Sequence, residues 1–336
     1  MNKLLKKLAA GFIGAAVAAS ASAGVFAESF TDMPNDWRTS AIENAVANGL
    51  ISGMGDGTVA PDANITRAQM AAIIVRALGA KTTADISMFA DVSQDAWYYD
   101  ELAKAVYMNA FSGDGENMNP ENNITFQECF TVLSRVFGLY YRTTEEEASA
   151  ALAKYSDGSE VASWAVRYYG SVVKNGYWTG GEKKLLTPAA YITRGEFAVV
   201  MDNLVKTYIS EPGTFSELPE GNVVVRCSDV VLDGVSVAGD LIVGDGVEAN
   251  KITISDINVT GRLVYRGCAT PGEVEYEEDD GTIATKISYT DIGNSPTGTV
   301  FDIQLIAPYV YINLGELKYQ QAYVGKDTCV YLGNVQ

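Results

Sequence analysis

The chain has 336 residues, contains no histidine, and sets 24 Lys+Arg against 42 Asp+Glu, a formal net charge of −18. Without histidine there is no Ser-His-Asp triad, no Cys-His pair, no His-ligated zinc and no imidazole base. The acidic balance argues against a phosphate-binding surface for nucleic acid and against docking on an anionic membrane face.

The chain opens as an address. Lys3, Lys6 and Lys7 precede an apolar stretch from Leu8 to Ala19, and Val25-Phe26-Ala27 has small-x-small character before Glu28. This is the layout of a secretory signal peptide over 1–27. Its apolar core is too short to span a hydrocarbon layer of ~30 Å. No later stretch reads as a membrane span, so no membrane partner is expected after cleavage.

Three copies of one unit follow. Copy one runs Phe30-x-Asp32, Trp37, Gly49, Gly53, Pro61 and Ile65-Thr66-Arg67-x-Gln69. Copy two runs Phe89-x-Asp91, Trp97, Asn109, Gly113, Pro120 and Ile124-Thr125-Phe126-x-Glu128. Copy three runs Tyr155-x-Asp157, Trp164, Gly176, Gly180, Pro188 and Ile192-Thr193-Arg194-x-Glu196. Spacings agree between copies almost residue for residue, the signature of a repeat architecture. Boundaries fall at 28–84, 85–142 and 143–210. Each copy predicts helix–loop–helix. Ala41, Ala45 and Val46 continue a helical period from Trp37. Gly49, Asn109 and Gly176 suit left-handed C-caps. Thr66…Gln69, Thr125…Glu128 and Thr193…Glu196 are capping boxes that start the second helix.

Capping does not account for Arg67 and Arg194. A cation in the first helical turn opposes the dipole by roughly 0.3–1 kcal/mol. Two such arginines suggest an anion site made of guanidinium and exposed helix N–H groups. The alternative is a salt bridge to a neighbouring Asp. Phe126 stands at the same position in copy two, so that site is expected to be weak or altered. Trp37, Trp97 and Trp164 suit either core packing or a stacking platform for a sugar ring. Asp32, Asp91 and Asp157 suit either a cap for the first helix or acceptance of sugar hydroxyls.

Phe-x-Asp…Trp…Gly-x-x-x-Gly…Pro…Ile-Thr-Arg-x-Glu/Gln resembles the S-layer homology (SLH) domain, in three copies across about half of the chain. The resemblance implies a pseudo-threefold helical module with grooves between neighbouring repeats. It implies non-covalent binding to cell-wall polysaccharide, either peptidoglycan or a pyruvylated secondary polymer, and a secreted protein held at the wall or S-layer. Carried over by motif, the groove arginines are Arg67 and Arg194 and the groove glycines Gly53, Gly113 and Gly180. Asp32, Trp37, Asp91, Trp97, Asp157 and Trp164 complete the expected binding set.

After 210 the material changes. Residues 211–221, with Pro212, Gly213, Pro219 and Gly221, read as a linker. Over 222–336 the periodicity alternates. Val230, Leu232, Val235, Val237, Gly239, Leu241 and Val243 align with Ile252, Ile254, Ile257, Val259, Gly261, Leu263 and Tyr265, a period of 22. This predicts a small all-β domain built as a β-solenoid, with a β-sandwich as the alternative. The fold class is thus α + β and multidomain. Glu273 to Asp280 reads as a solvated acidic loop. Cys129, Cys227, Cys268 and Cys329 lack metal spacing and read as small packing residues, with a Cys227–Cys268 bridge as the alternative. No cofactor or metal is expected. The sequence favours a non-catalytic envelope protein whose β domain serves surface assembly or adhesion, including self-association through open strand edges. The alternative is a wall-anchored polysaccharide-degrading enzyme working with carboxylates alone.

Overall fold

The computed structural model describes residues 30–248, 251–266, 272–277, 283–288, 296–306, 309–312, 316–324 and 329–332. The expected signal peptide and Cys268 lie outside these residues.

Repeat 1 forms α1 (Thr39–Ala47) and α2 (Arg67–Leu78), and repeat 2 forms α3 (Tyr99–Tyr107) and α4 (Phe126–Val136). A 3-10 turn at Leu139–Arg142 and α5 (Glu145–Leu152) intervene before α6 (Val166–Lys174) and α7 (Arg194–Leu204) of repeat 3. All three expected capping boxes are present. Gly49, Asn109 and Gly176 have φ of 65°, 57° and 76°, the left-handed closure expected after each first helix. The first helices begin later than the periodicity suggests, at Thr39 rather than Trp37. Apolar faces such as Met70, Ile73, Ile74 and Leu78 fill one helical core.

The end of the expected third repeat and the stretch expected to be a linker both enter the β part instead. β1 (Thr207–Ile209) and β2 (Gly213–Phe215) pair in parallel with β3 (Val223–Val225) and β4 (Val230–Asp233). Their Pro and Gly residues punctuate very short strands rather than separate two bodies. β5 (Ser236–Val237), β6 (Leu241–Val243), β7 (Ile252–Ser255) and β8 (Ile257–Tyr265) continue the stacking. Their registers reproduce the period of 22: Val230 pairs with Ile252, Leu232 with Ile254, Val237 with Val259 and Leu241 with Leu263.

After β8, β9 (Gly272–Glu277) and β10 (Ile283–Ser288) form an antiparallel hairpin, so the first part of the acidic run is strand rather than loop. β11 (Thr297–Leu305) rejoins the stack on β8 in parallel. β12 (Tyr309–Ile312) pairs with β15 (Cys329–Leu332), while β13 (Glu316–Lys318) and β14 (Gln321–Val324) pair with β11.

The sheet running through β3, β6 and β8 is apolar on both faces, and this joins the two modules. Val223, Val225, Leu241, Val243, Leu263 and Tyr265 point into the β core. The alternate residues Val224, Ile242 and Val264 belong to the helical core. Three arginines at this joint reach helix C-termini. Arg226 donates to the carbonyls of Asn48 and Arg76, where α1 and α2 end. Arg266 donates to those of Met108 and Val136, where α3 and α4 end. Arg262 donates to Gly138 O and is paired with Asp240. A cation suits the negative end of a helix, and these are charge-assisted bonds to helix-terminal carbonyls, of which Arg76 O and Gly138 O also accept a backbone N–H.

Candidate functional site

The repeats close on one another through their Ile-Thr motifs. Ile65 N–H donates to Ile192 O (3.0 Å), Ile192 N–H to Ile124 O (3.1 Å), and Ile124 N–H to Ile65 O (3.1 Å). This ring fixes where each second helix begins. At the start of α2, the N–H groups of Arg67 and Ala68 donate to Asn122 and Pro120 O of repeat 2. At the start of α4, those of Phe126 and Gln127 donate to Ala190 and Pro188 O of repeat 3. At the start of α7, those of Arg194 and Gly195 donate to Ala63 and Pro61 O of repeat 1. The invariant spacing from Pro to Ile-Thr therefore serves a neighbour's helix.

This corrects the expected anion site. The first two N–H groups of each helix belong to the next repeat, and the third belongs to the capping Thr. No free amides are left there to hold an anion, and the cationic groups at these helix starts are the guanidinium groups of Arg67 and Arg194.

Each guanidinium crosses a junction. Arg67 donates through Nε to Met118 O (2.9 Å) and lies over the Phe111 ring, 5.4 Å from its centroid. Arg194 donates to Val59 O and Ser52 O (2.9 and 3.0 Å) and is only 6% exposed. Burial pulls both below the ordinary arginine value, while Glu128, Asp114 and Asp91 oppose this at Arg67 and Asp32 does so at Arg194. Both remain cations at any pH the fold meets. Among the described residues neither forms a salt bridge within 4.0 Å, so the ion-pair alternative is not met. The two are unequal: Arg194 clamps the repeat 1 loop, whereas Arg67 commits only Nε to protein acceptors.

The aspartates do not cap the first helices, whose N-caps make no side-chain bond. Each carboxylate receives two adjacent backbone N–H groups of its own repeat's loop. Asp32 holds Val59 and Ala60, Asp91 holds Met118 and Asn119, and Asp157 holds Leu186 and Thr187, at 2.7–3.1 Å. Gly53 and Gly113 permit close approach rather than contact with a groove. A Cβ there would stand 2.5 Å from the Phe30 ring or 2.8 Å from the Phe89 ring. Gly180, at φ 78°, turns the third loop.

Trp37, Trp97 and Trp164 are 40%, 59% and 53% exposed, so core packing is not their role. The residues that line the junctions from within are Phe111 and Trp178, two positions after the C-cap, where repeat 1 has Ile51. Sequence reasoning missed them; an aromatic at a fixed offset from Asn109 and Gly176 was the available signal. Phe126 packs on Trp178 at 5.1 Å between centroids, and Trp178 faces Trp37 at 6.1 Å.

The family model for the S-layer homology domain matches residues 29–71, 89–128 and 154–198. The chain carries three S-layer homology domains. Each match covers a Phe/Tyr-x-Asp motif and the start of a second helix.

Relatives share this part at modest identity. The chain is 34% identical over 176 residues to the Surface-layer 125 kDa protein of Lysinibacillus sphaericus, covering 51% of this chain and 14% of that one. It is 30% identical over 153 residues to the Surface layer protein of Brevibacillus choshinensis, covering 41% and 13%. It is 27% identical over 177 residues to Exoglucanase XynX of Acetivibrio thermocellus, covering 53% and 16%. The chain thus spans a small fraction of these relatives' length. The three S-layer homology repeats make this a secreted protein attached to the cell wall.

Among the described residues no helix is long and apolar enough to cross a membrane, and no cluster of three Cys, Asp or Glu could hold a metal ion. Cys129 is buried and Cys227 half-buried, both as free thiols.

Proposed function

We propose that this protein is a non-catalytic envelope component anchored non-covalently to a pyruvylated secondary cell-wall polymer. Its S-layer homology module supplies the anchor. Its β part, which we take as a β-solenoid, faces outward for surface assembly or adhesion. The observation that carries the anchor is Arg67, a cation without a carboxylate partner, laid across a junction on an aromatic ring. Asp91 fixes the loop beneath it. A carboxylate on a sugar, such as a pyruvate ketal, matches the guanidinium fork while the sugar ring meets aromatic faces.

Support for a non-catalytic β part comes from its buried carboxylates. Asp240, Asp245 and Asp302 each pair with an arginine, and Arg142 joins Asp302 across the modules. These pairs lie at the joint, where they serve cohesion.

The test uses the full mature chain and purified wall, before and after its secondary polymers are stripped. Arg67→Ala with Arg194→Gln should lose most wall pull-down while circular dichroism stays native. The glutamine keeps donors for the repeat 1 loop, so a folding defect is separable from a binding defect. Undiminished pull-down by the folded double variant refutes the arginine reading. Equal binding to stripped wall refutes the secondary polymer as target.

A further inference from the structure

The three junctions differ in chemistry. Two are crossed by arginine and the third by Phe126. At the third, Phe126 and Phe130 pin the ring of Trp178, which is only 2% exposed. Trp37 of repeat 1 leans over the same ring at an interplanar angle of 55°. An open cavity of about 490 Å³ lies against these two indoles. That volume is within the range of small-ligand sites, roughly 300–1,000 Å³.

A left-handed glycine turns the chain beside the two indoles. Gly181 sits at φ 57°, and a Cβ there would stand 3.5 Å from Trp178 and 3.6 Å from Trp37, between the two indoles. The charged groups on the lining are Asp36, Glu182 and Lys184. Asp36 is already held by Arg38 at 2.7 Å, and this bond keeps its carboxyl below the usual range. With Asp36 taken up by Arg38, Glu182 and Lys184 balance, and no guanidinium lines the cavity to attract an anion. An anionic group is therefore not favoured.

We propose that this cavity, formed between repeat 1 and repeat 3 with Phe126 behind its Trp178 floor, binds an uncharged pyranose ring of the wall glycan, a different residue from the anionic sugar assigned to Arg67. The apolar face of the ring stacks on the exposed side of Trp37. Thr179, Asn203 and Glu182 offer hydrogen bonds to its hydroxyl or acetamide groups. Phe126 then has a purpose: it fixes the aromatic floor and removes a cation that would lack a partner. This proposal rests on the wall-anchoring reading and adds a second kind of subsite to it.

The test is titration calorimetry of the full mature chain with secondary-polymer fragments released from the wall. One sample is native and one has its ketal-linked pyruvate removed by mild acid. Trp37→Ala should weaken binding of both samples about tenfold or more, with Trp37→Phe recovering most of the loss. Arg67→Ala should weaken only the native sample. If Trp37→Ala binds the acid-treated fragments as wild type does, the neutral subsite is refuted while the anchor stands. If the wild-type chain binds neither sample, both fall.

Discussion

Replacing Arg266 by alanine tests whether the two modules form one body. The guanidinium is buried, bonded to Asp245 at 2.9 Å through Nε, to Met108 O at 3.1 Å and to Val136 O. Removing it strands a buried carboxylate, and breaking one side of a buried pair destabilises by about 3–5 kcal/mol. Two helix-terminal carbonyls also lose a donor, each by about 1–3 kcal/mol if they stay dry. These losses overlap, because water can enter the space vacated, so about 3–5 kcal/mol is expected in all. That is a large share of a typical stability of about 5–15 kcal/mol.

The assay is equilibrium urea unfolding of the full chain, read by far-ultraviolet dichroism and tryptophan fluorescence. The sign of the pH dependence follows from Asp245, whose carboxyl burial pushes above its ordinary value while Arg266 pulls it down. Without Arg266 its folded value rises further. A group with a raised folded pKa is most favourable to folding below its unfolded pKa, and that contribution is lost as pH rises through the folded value. The deficit of Arg266→Ala should therefore shrink from pH 7.5 toward pH 4.5, and Asp245→Asn added to it should restore part of the loss at neutral pH. A deficit under about 1 kcal/mol, or one that grows on acidification, refutes the reasoning. Two separate transitions in the wild-type chain would show that the joint does not couple the modules.

Further outcomes follow from the loops and from charge. Asp91→Ala removes the acceptor of two adjacent amides, so the repeat 2 loop should lose hydrogen-exchange protection at Met118 and Asn119, with about 1–3 kcal/mol of stability. Unchanged protection there would show that the carboxylate does not hold the loop. Residues 28–210 carry 14 basic and 23 acidic residues, so long-range attraction cannot drive binding to an anionic polymer. Raising NaCl from about 50 to about 200 mM should leave wall pull-down nearly constant, since screening relieves repulsion as it weakens local arginine contacts. A steep loss over that range overturns this account.

The features that read correctly from sequence were local or periodic. A capping box needs only residues three apart, and Thr66, Thr125 and Thr193 behave as their spacing implies. The period of 22 set strand register because parallel strands 22 residues apart pair like with like. What could not be read were partners fixed by closure of the ring. Pro61, Pro120 and Pro188 look like loop punctuation, yet their carbonyls take the helix amides that an isolated Thr-Arg motif seems to offer an anion. Arg226 and Arg266 look like lone cations at strand ends, and only the packed helices supply their acceptors. Phe126 looks like a degraded arginine site until Trp178 and Trp37 are seen around it.

The ring of Ile65, Ile124 and Ile192 also sets an order of events. A chain exported from its N-terminus delivers Ile65 and Ile124 first, and their mutual bond can form at once. The N–H of Ile65 and the O of Ile124 must wait for Ile192, the residue that answers both. Until repeat 3 emerges, the starts of α4 and α7 cannot acquire the carbonyls and amides of their neighbours, and the aromatic floor around Trp178 does not exist. Closure of the ring is therefore timed by the last repeat to emerge, whereas the junction that Arg67 crosses needs only the first two.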